Sequence, residues 1–332
     1  MNDKIVRWLL VGGGDISRKR VAPALHESPH SRLVAVCDRV EERARSLAAD
    51  FGGGKVYGEY GAALADSGID AVYVATPVHL HESMARLALN AGKHVLVEKP
   101  LGINGAEAER LANLEKGTKL VTGCAYYRRF YSRYRMLREM IAAGEFGRIV
   151  MVRMVYCSWF HPLADDPKFW RVRNGLSGGG PLSDMGTHMF DVLIGLFGMP
   201  AAVSAMTATL DRDWDVEDSS AALMRLTNGA LGTFNIHWNS KTWRHLFEVT
   251  GTEARVLWEP FDGGPVIKTV GRETQAIVLS DAENVHQPLV EDFVEAIREG
   301  RRATVTFAEA AKTNRLLDAV YRSALERREI EP

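Results

Sequence analysis

Lys99 follows a short apolar run, 94–97, in the tripeptide Glu98-Lys99-Pro100. An ammonium at the end of a buried strand, held by a proline, can donate to a substrate hydroxyl or carbonyl and stabilise developing negative charge. A surface lysine paired with Glu98 would leave the same trace. Further on, Asp184 and His188 lie four residues apart, the spacing that puts two side chains on one helix face. An imidazole titrates near neutral pH and can move a proton, and a carboxylate one turn earlier can hold its ring. An ordinary surface pair has that spacing too. No further His or Cys stands at ligand spacing beside them, and the pair His79-x-His81 would not share a helix face, so no metal is expected.

The start of the chain carries a pattern of a different kind. The apolar run 5–11 breaks into Gly12-Gly13-Gly14, followed by Asp15, Ile16 and Ser17 and a stretch of helical character, 18–26. This is the order of a first strand, a tight turn and a helix N-terminus. Glycine is required where the turn needs angles that a Cβ forbids and where a pyrophosphate must approach the backbone. Unpaired N–H groups at the helix start then face the anion. Gly12 and Gly14 fill the first two positions of G-x-G-x-x-G, with Ser17 in the third. Asp15 beside a phosphate must turn its side chain away. A second apolar run, 32–37, ends in Asp38. A carboxylate at about this distance from the turn is the expected partner of the adenosine ribose hydroxyls and would repel a 2′-phosphate, favouring NAD over NADP. Arg39 could instead accept that phosphate or stack on adenine, and Asp38 could instead cap a helix over 40–50.

The elements that must carry these residues alternate regularly. Apolar strands are expected at 5–11, 32–38, around 56, at 70–76, 93–97 and 119–122, with helices between them, among them 81–91. That alternation means βαβ units and a doubly wound parallel sheet, a Rossmann domain over 1–123. Beyond Gly198 the pattern changes. Strands at 148–159, 203–210, 220–226, 231–237 and 246–258 alternate apolar with polar residues, and helices at 288–299 and 307–327 close the chain. The second domain, 124–332, is therefore an α+β unit. Its apolar positions in 182–196 follow a helical period. In the irregular segment 160–174, Trp170 offers a flat face to a sugar ring and Arg171 a donor; both could simply pack the domain junction. Arg128, Arg129 and Arg133 read as a solvated helix face.

Composition excludes several classes. The chain has 332 residues, 46% hydrophobic and 25% charged, and a formal net charge of −1, so neither nucleic acid nor a membrane surface is the expected partner. No apolar stretch approaches the ~20 residues of a membrane span. Three cysteines, Cys37, Cys124 and Cys157, lie far apart and read as reduced, in a cytoplasmic protein. The first strand begins almost at once, leaving no room for a cleavable signal.

Several of these motifs, in this order, resemble the Gfo/Idh/MocA family of oxidoreductases: Gly12-x-Gly14, Thr76-Pro77 with His81, Ala91-Gly92-Lys93-His94, Glu98-Lys99-Pro100, and Gly178-Gly-Gly-Pro-Leu-Ser-Asp184-Met-Gly-Thr-His188-Met-Phe-Asp191. Tyr127-Arg128-Arg129-Phe130 sits where that family often has Asn/Tyr-x-Arg-Phe. The similarity runs through nearly the whole chain; Ser17 and Val78 depart from the usual residues. The resemblance implies a Rossmann domain followed by an α+β domain with a large open, mainly antiparallel sheet that often makes the oligomer contact. It implies NAD(P)-linked redox chemistry on a sugar, polyol or related small molecule, with Lys99 catalytic, His188 the proton-transfer residue and Asp184 a partner at the substrate. Cofactor contacts are then expected from Gly12, Gly14, Asp15, Ile16, Asp38, Arg39, Thr76, Pro77, His81, Glu98 and Lys99, and substrate contacts from Tyr127, Trp170 and Arg171. A homodimer or homotetramer is expected because the strands after residue 203 have too few helices to cover both faces. Two other activities keep the same motifs: a dinucleotide-binding sensor without turnover, and a glycosidase that retains its NAD.

Overall fold

The computed structural model describes residues 4–332 and divides into two compact units. The first comprises residues up to Gly102, Ala106–Tyr127 and Ala282–Ala311; the second comprises Ile103–Gly105, Arg128–Asp281 and Lys312–Pro332.

In the first unit, strands β1 (Val6–Val11), β2 (Ser31–Cys37), β3 (Lys55–Tyr57), β4 (Ala71–Val74), β5 (His94–Val97) and β6 (Thr122–Cys124) form one sheet in the order β3-β2-β1-β4-β5-β6. Every pairing is parallel. Sheets of this kind are buried on both faces, and so β1 and β4 are nearly continuous apolar runs rather than alternating ones. The order reverses at β1, which places the chain ends after β1, β2, β4 and β5 along one edge.

The expected split at residue 123 is not how the chain packs. Residues 282–311 return to the first unit: the Phe293 ring lies tilted 5.4 Å from that of Trp8 of β1, the Cys124 N–H of β6 donates to Val305 O, and the Asn284 side chain donates to Arg20 O. The helix Gln287–Glu299 buries Leu289, Val290, Phe293, Val294 and Ala296, a spacing that makes one apolar face. Burying an aromatic such as Phe293 stabilises by about 1.5–3 kcal/mol, and the sheet of the first unit is where that face finds cover.

The second unit is built on β7 (Ile149–Trp159), β8 (Ala202–Ala208), β9 (Ser219–Arg225), β10 (Leu231–His237), β11 (Asn239–Gly251), β12 (Ala254–Trp258), β13 (Val266–Val270) and β14 (Glu273–Ile277). Their order is β14-β13-β12-β11-β7-β10-β9-β8, antiparallel throughout except for the β7–β10 pair. The hairpin β13–β14 was not expected from the sequence; its second strand is mostly exposed and carries no apolar alternation. One side of the sheet is core, with Ala222, Met224, Phe234, Ile236, Phe247 and Val256 buried. The opposite side chains of β8, β9 and β10 are bare, Met206 at 80%, Leu223 at 61% and Leu231 at 46% exposure.

The basic cluster is the clearest correction to the sequence reading. Arg128 and Arg133 are buried and Arg129 is nearly so; none of the three is a solvated face. Arg128 pairs with Asp262, Arg133 with Asp281, and Arg129 grips Asp191 with two hydrogen bonds of 2.8 and 3.0 Å. A guanidinium stays charged when buried if a carboxylate meets its fork, and the three carboxylates lie 62 to 148 residues along the chain.

Candidate active site

In the first unit the strand ends bring the glycine turn and the acid together. Gly12 sits at φ 96°, and a Cβ there would meet Ala75 O at 2.6 Å, so only glycine fits. Nothing lies within 4 Å of a Cβ placed on Gly14, which leaves that side of the turn open. The helix that starts there leaves its first N–H groups without intrahelical partners, those of Asp15, Ile16 and Ser17 included. Ser17, in the third motif position, is buried and its hydroxyl donates to Gly12 O, so the serine closes the turn. The Asp15 carboxylate turns to Lys19 of its own helix at 2.9 Å. Asp38 accepts from Gly13 N at 2.6 Å and Val40 N at 2.7 Å, which pins the acid against the turn; it does not cap the helix Glu41–Phe51, which has no side-chain cap. Arg39 beside it is exposed. A turn that only glycine can make, an open approach, free N–H groups and a fixed carboxylate together fit an adenine dinucleotide.

His81 is 1% exposed, and its two ring nitrogens lie 2.8 Å from Pro100 O and 2.9 Å from Thr76 O. Burial pushes its pKa down toward the neutral form, in which one N–H serves one carbonyl. The ring thus packs between the Thr76-Pro77 loop and the Lys99-Pro100 loop and donates to one of the two carbonyls. Glu98 is not a surface partner of Lys99. It is buried, and accepts from the Tyr73 hydroxyl at 2.8 Å, His286 Nε2 at 3.2 Å and the Lys99 N–H at 3.3 Å. Burial opposes its charge, but the His286 N–H and the Tyr73 hydroxyl prevail and hold the carboxyl below its ordinary range. Tyr127 packs its ring 4.9 Å from that of His286. Lys99 itself is half-buried at the carboxyl end of β5.

In the second unit the Gly178-Gly-Gly run forms a turn that no side chain could enter. A Cβ would lie 2.3 Å from Ile103 O at Gly178, 1.9 Å from the Tyr321 hydroxyl at Gly179 and 1.9 Å from Glu217 O at Gly180. Glu217 accepts from Gly180 N at 2.9 Å, Leu182 N at 3.1 Å and the Tyr321 hydroxyl at 3.0 Å. Burial pushes its carboxyl up to about 7 in spite of these donors. The clamp leads into a wide π turn, Leu182–Gly186, and then the helix Thr187–Phe197. Asp184 stands in the π turn and His188, buried, in the first turn of the helix. Asp184 accepts from Arg171 Nη1 at 2.7 Å, and the Arg171 guanidinium lies 5.4 Å from the Trp170 ring centre, in the turn Phe169–Val172. Arg171, Trp170 and Asp184 thus form one group, a meeting that chain spacing did not reveal. Glu217, Tyr321, Tyr73 and His286 were not singled out from the sequence at all. Their partners are too far along the chain for any spacing to show them. Among the described residues no cluster of three or more His, Cys, Asp or Glu is arranged to hold a metal.

Two family profiles match. One, described as an oxidoreductase family with an NAD-binding Rossmann fold, covers residues 6–126; the other, the GFO/IDH/MocA C-terminal domain, covers 134–257. The chain belongs to the Gfo/Idh/MocA family. It is an NAD-dependent oxidoreductase of the dehydrogenase and reductase kind. Among its relatives, D-xylose 1-dehydrogenase (NADP(+)) 2 of Haloferax volcanii is 28% identical over 95% of this chain and 96% of its own. The 1,5-anhydro-D-fructose reductase of Ensifer adhaerens is 29% identical over 76% of this chain and 75% of its own. The solved structure of a levoglucosan dehydrogenase in complex with NADH superposes with a TM-score of 0.89 at 24% identity, covering 98% of each chain, a likeness of fold.

Proposed function

We propose that the protein transfers a hydride between NAD and a carbinol or carbonyl carbon of a sugar or polyol, with His188 as the proton-transfer residue and Lys99 as the donor to the substrate oxygen. The observation that carries this reading is the group Arg171–Asp184 with Trp170 beside it, one helical turn before the buried His188. A flat indole face, a guanidinium and a carboxylate suit a polyhydroxylated ring, and sugar-converting relatives support the class. The nicotinamide supplies the hydride acceptor when bound. A hydride leaves a carbinol carbon only as the hydroxyl proton is lost, and an imidazole with an intrinsic pKa of about 6.5 can take that proton near neutral pH. Lys99 donates to the same oxygen and steadies its charge. Tyr127 is read as lining the substrate, and Thr76, Pro77, Ile16 and the Asp15 N–H as lining the cofactor.

Absorbance at 340 nm with a panel of sugars, polyols and their oxidised forms tests the activity. His188→Ala should lower turnover roughly 10²–10⁴-fold, leave NADH affinity nearly unchanged and remove the base limb of the pH–rate profile. Lys99→Ala should lower turnover and keep that limb. Survival of the limb in the first variant and its loss in the second would reverse the two roles. Dinucleotide binding without turnover of any substrate would favour a sensor. Three free cysteines agree with a cytoplasmic setting. The bare row Met206, Leu223 and Leu231 supports a two-fold dimer made through the outer sheet face.

A further inference from the structure

His286 lies 188 residues beyond Glu98 in the chain and touches it directly, Nε2 to Oε1 at 3.2 Å. It is 1% exposed. With Nε2 protonated the ring donates to the carboxylate, while Nδ1 is buried and has no hydrogen-bond partner. A buried polar atom left unpaired costs about 1–3 kcal/mol, so a phenyl ring would fill the place more cheaply. What the imidazole adds is its one bond to Glu98. The surroundings are arranged to keep that bond. The His286 main-chain N–H donates to Asn284 Oδ1 at 3.1 Å, the Asn284 side chain donates in turn to Arg20 O at 2.8 Å, and Tyr127 lies against the imidazole ring. Glu98 also accepts from Tyr73 of β4 at 2.8 Å and from the Lys99 main-chain N–H at 3.3 Å.

We propose that His286 is a positioning residue for Lys99: by fixing the Glu98 carboxylate, which accepts from the Lys99 main-chain N–H, it sets the loop on which Lys99 is carried. The inference rests on the role given to Lys99 above. The lowered pKa of Glu98 agrees with it: burial opposes the charge, and the His286 hydrogen bond is foremost among the influences that outweigh it. The charged and titratable groups around Glu98 are Tyr73 of β4, Lys99 after β5, His81 at the start of the helix His81–Asn90, Cys124 of β6 and His286.

The test uses His286→Leu, His286→Gln and Tyr73→Phe, each checked for a cooperative melt. Two quantities are read: steady-state turnover, and the rate at which acetic anhydride modifies Lys99 relative to the other lysines, followed by mass spectrometry. His286→Leu should lower kcat roughly tenfold to a hundredfold with the sugar KM and NADH Kd within about twofold. It should also speed Lys99 acetylation at least about threefold, through a loosened loop that exposes the side chain. His286→Gln, which keeps a side-chain N–H donor, should recover most of both, and Tyr73→Phe should move acetylation the same way as His286→Leu. An acetylation rate at Lys99 unchanged in His286→Leu and Tyr73→Phe would overturn the proposal, as would a well-folded His286→Gln no better than the Leu variant. Should His286→Leu not fold, the Gln and Phe variants decide. If the unmodified protein turns over no sugar, the proposed activity fails while the acetylation rates still decide the role of His286.

Discussion

Glu217 should make the second unit less stable as pH rises, and its replacement by glutamine should abolish that dependence. The carboxyl is 8% exposed and its pKa is raised from an ordinary 4.5 to about 7. The folded value lies above the unfolded one, so folding binds the proton more tightly than the unfolded chain does. Stability from this source is fully present below pH 4.5 and is lost as pH rises through about 7. At roughly 1.4 kcal/mol per pH unit, the whole effect is about 3 kcal/mol. In Glu217→Gln the amide nitrogen must face one of three donors, Gly180 N, Leu182 N or the Tyr321 hydroxyl, which is a penalty with no pH dependence. The difference between the two proteins therefore isolates the proton. Of the seven tryptophans only Trp8 lies in the first unit, so tryptophan fluorescence follows unfolding of the second. Urea transitions from pH 4.5 to 8 should show the variant gaining on the parent by about 3 kcal/mol. A difference that stays level across the range would mean that the three donors keep Glu217 ionised throughout, and the argument from burial would be refuted.

Other outcomes follow from the same geometry. Asp38→Ser should narrow the preference for NADH over NADPH about tenfold by relieving repulsion of the 2′-phosphate, measured by fluorescence titration; equal affinity of the parent for both would contradict it. Gly179→Ala forces a Cβ against the Tyr321 hydroxyl at a φ of 147°, and should cost about 2–4 kcal/mol. A thermal midpoint matching the parent would show that the turn can give way. Sedimentation should find a dimer at micromolar concentration that Leu223→Glu disperses, and a clean monomer of the parent would remove the argument from the exposed sheet face.

What could be read along the chain was whatever depends on near neighbours. The parallel sheet was legible because its strands are continuous apolar runs alternating with helices, and a period of two or of 3.6 is a local property. Gly12 and Asp38 were legible because the turn and the strand end that follow from those runs leave few residue types able to serve. The fourfold spacing of Asp184 and His188 was visible too. What tertiary structure decided was which charges are buried and with whom. Arg128, Arg129 and Arg133 looked like a wet helix face, since the periodicity of charge cannot show that Asp262, Asp191 and Asp281 arrive from elsewhere to neutralise them. The return of residues 282–311 to the first unit has the same cause: an apolar helix face says that it must be covered, not by what. Glu98 shows both sides at once. Its place beside Lys99 was written in the tripeptide, but its burial, its charge and its bond to His286 depend on contacts between distant segments, which form only when the sheet is assembled.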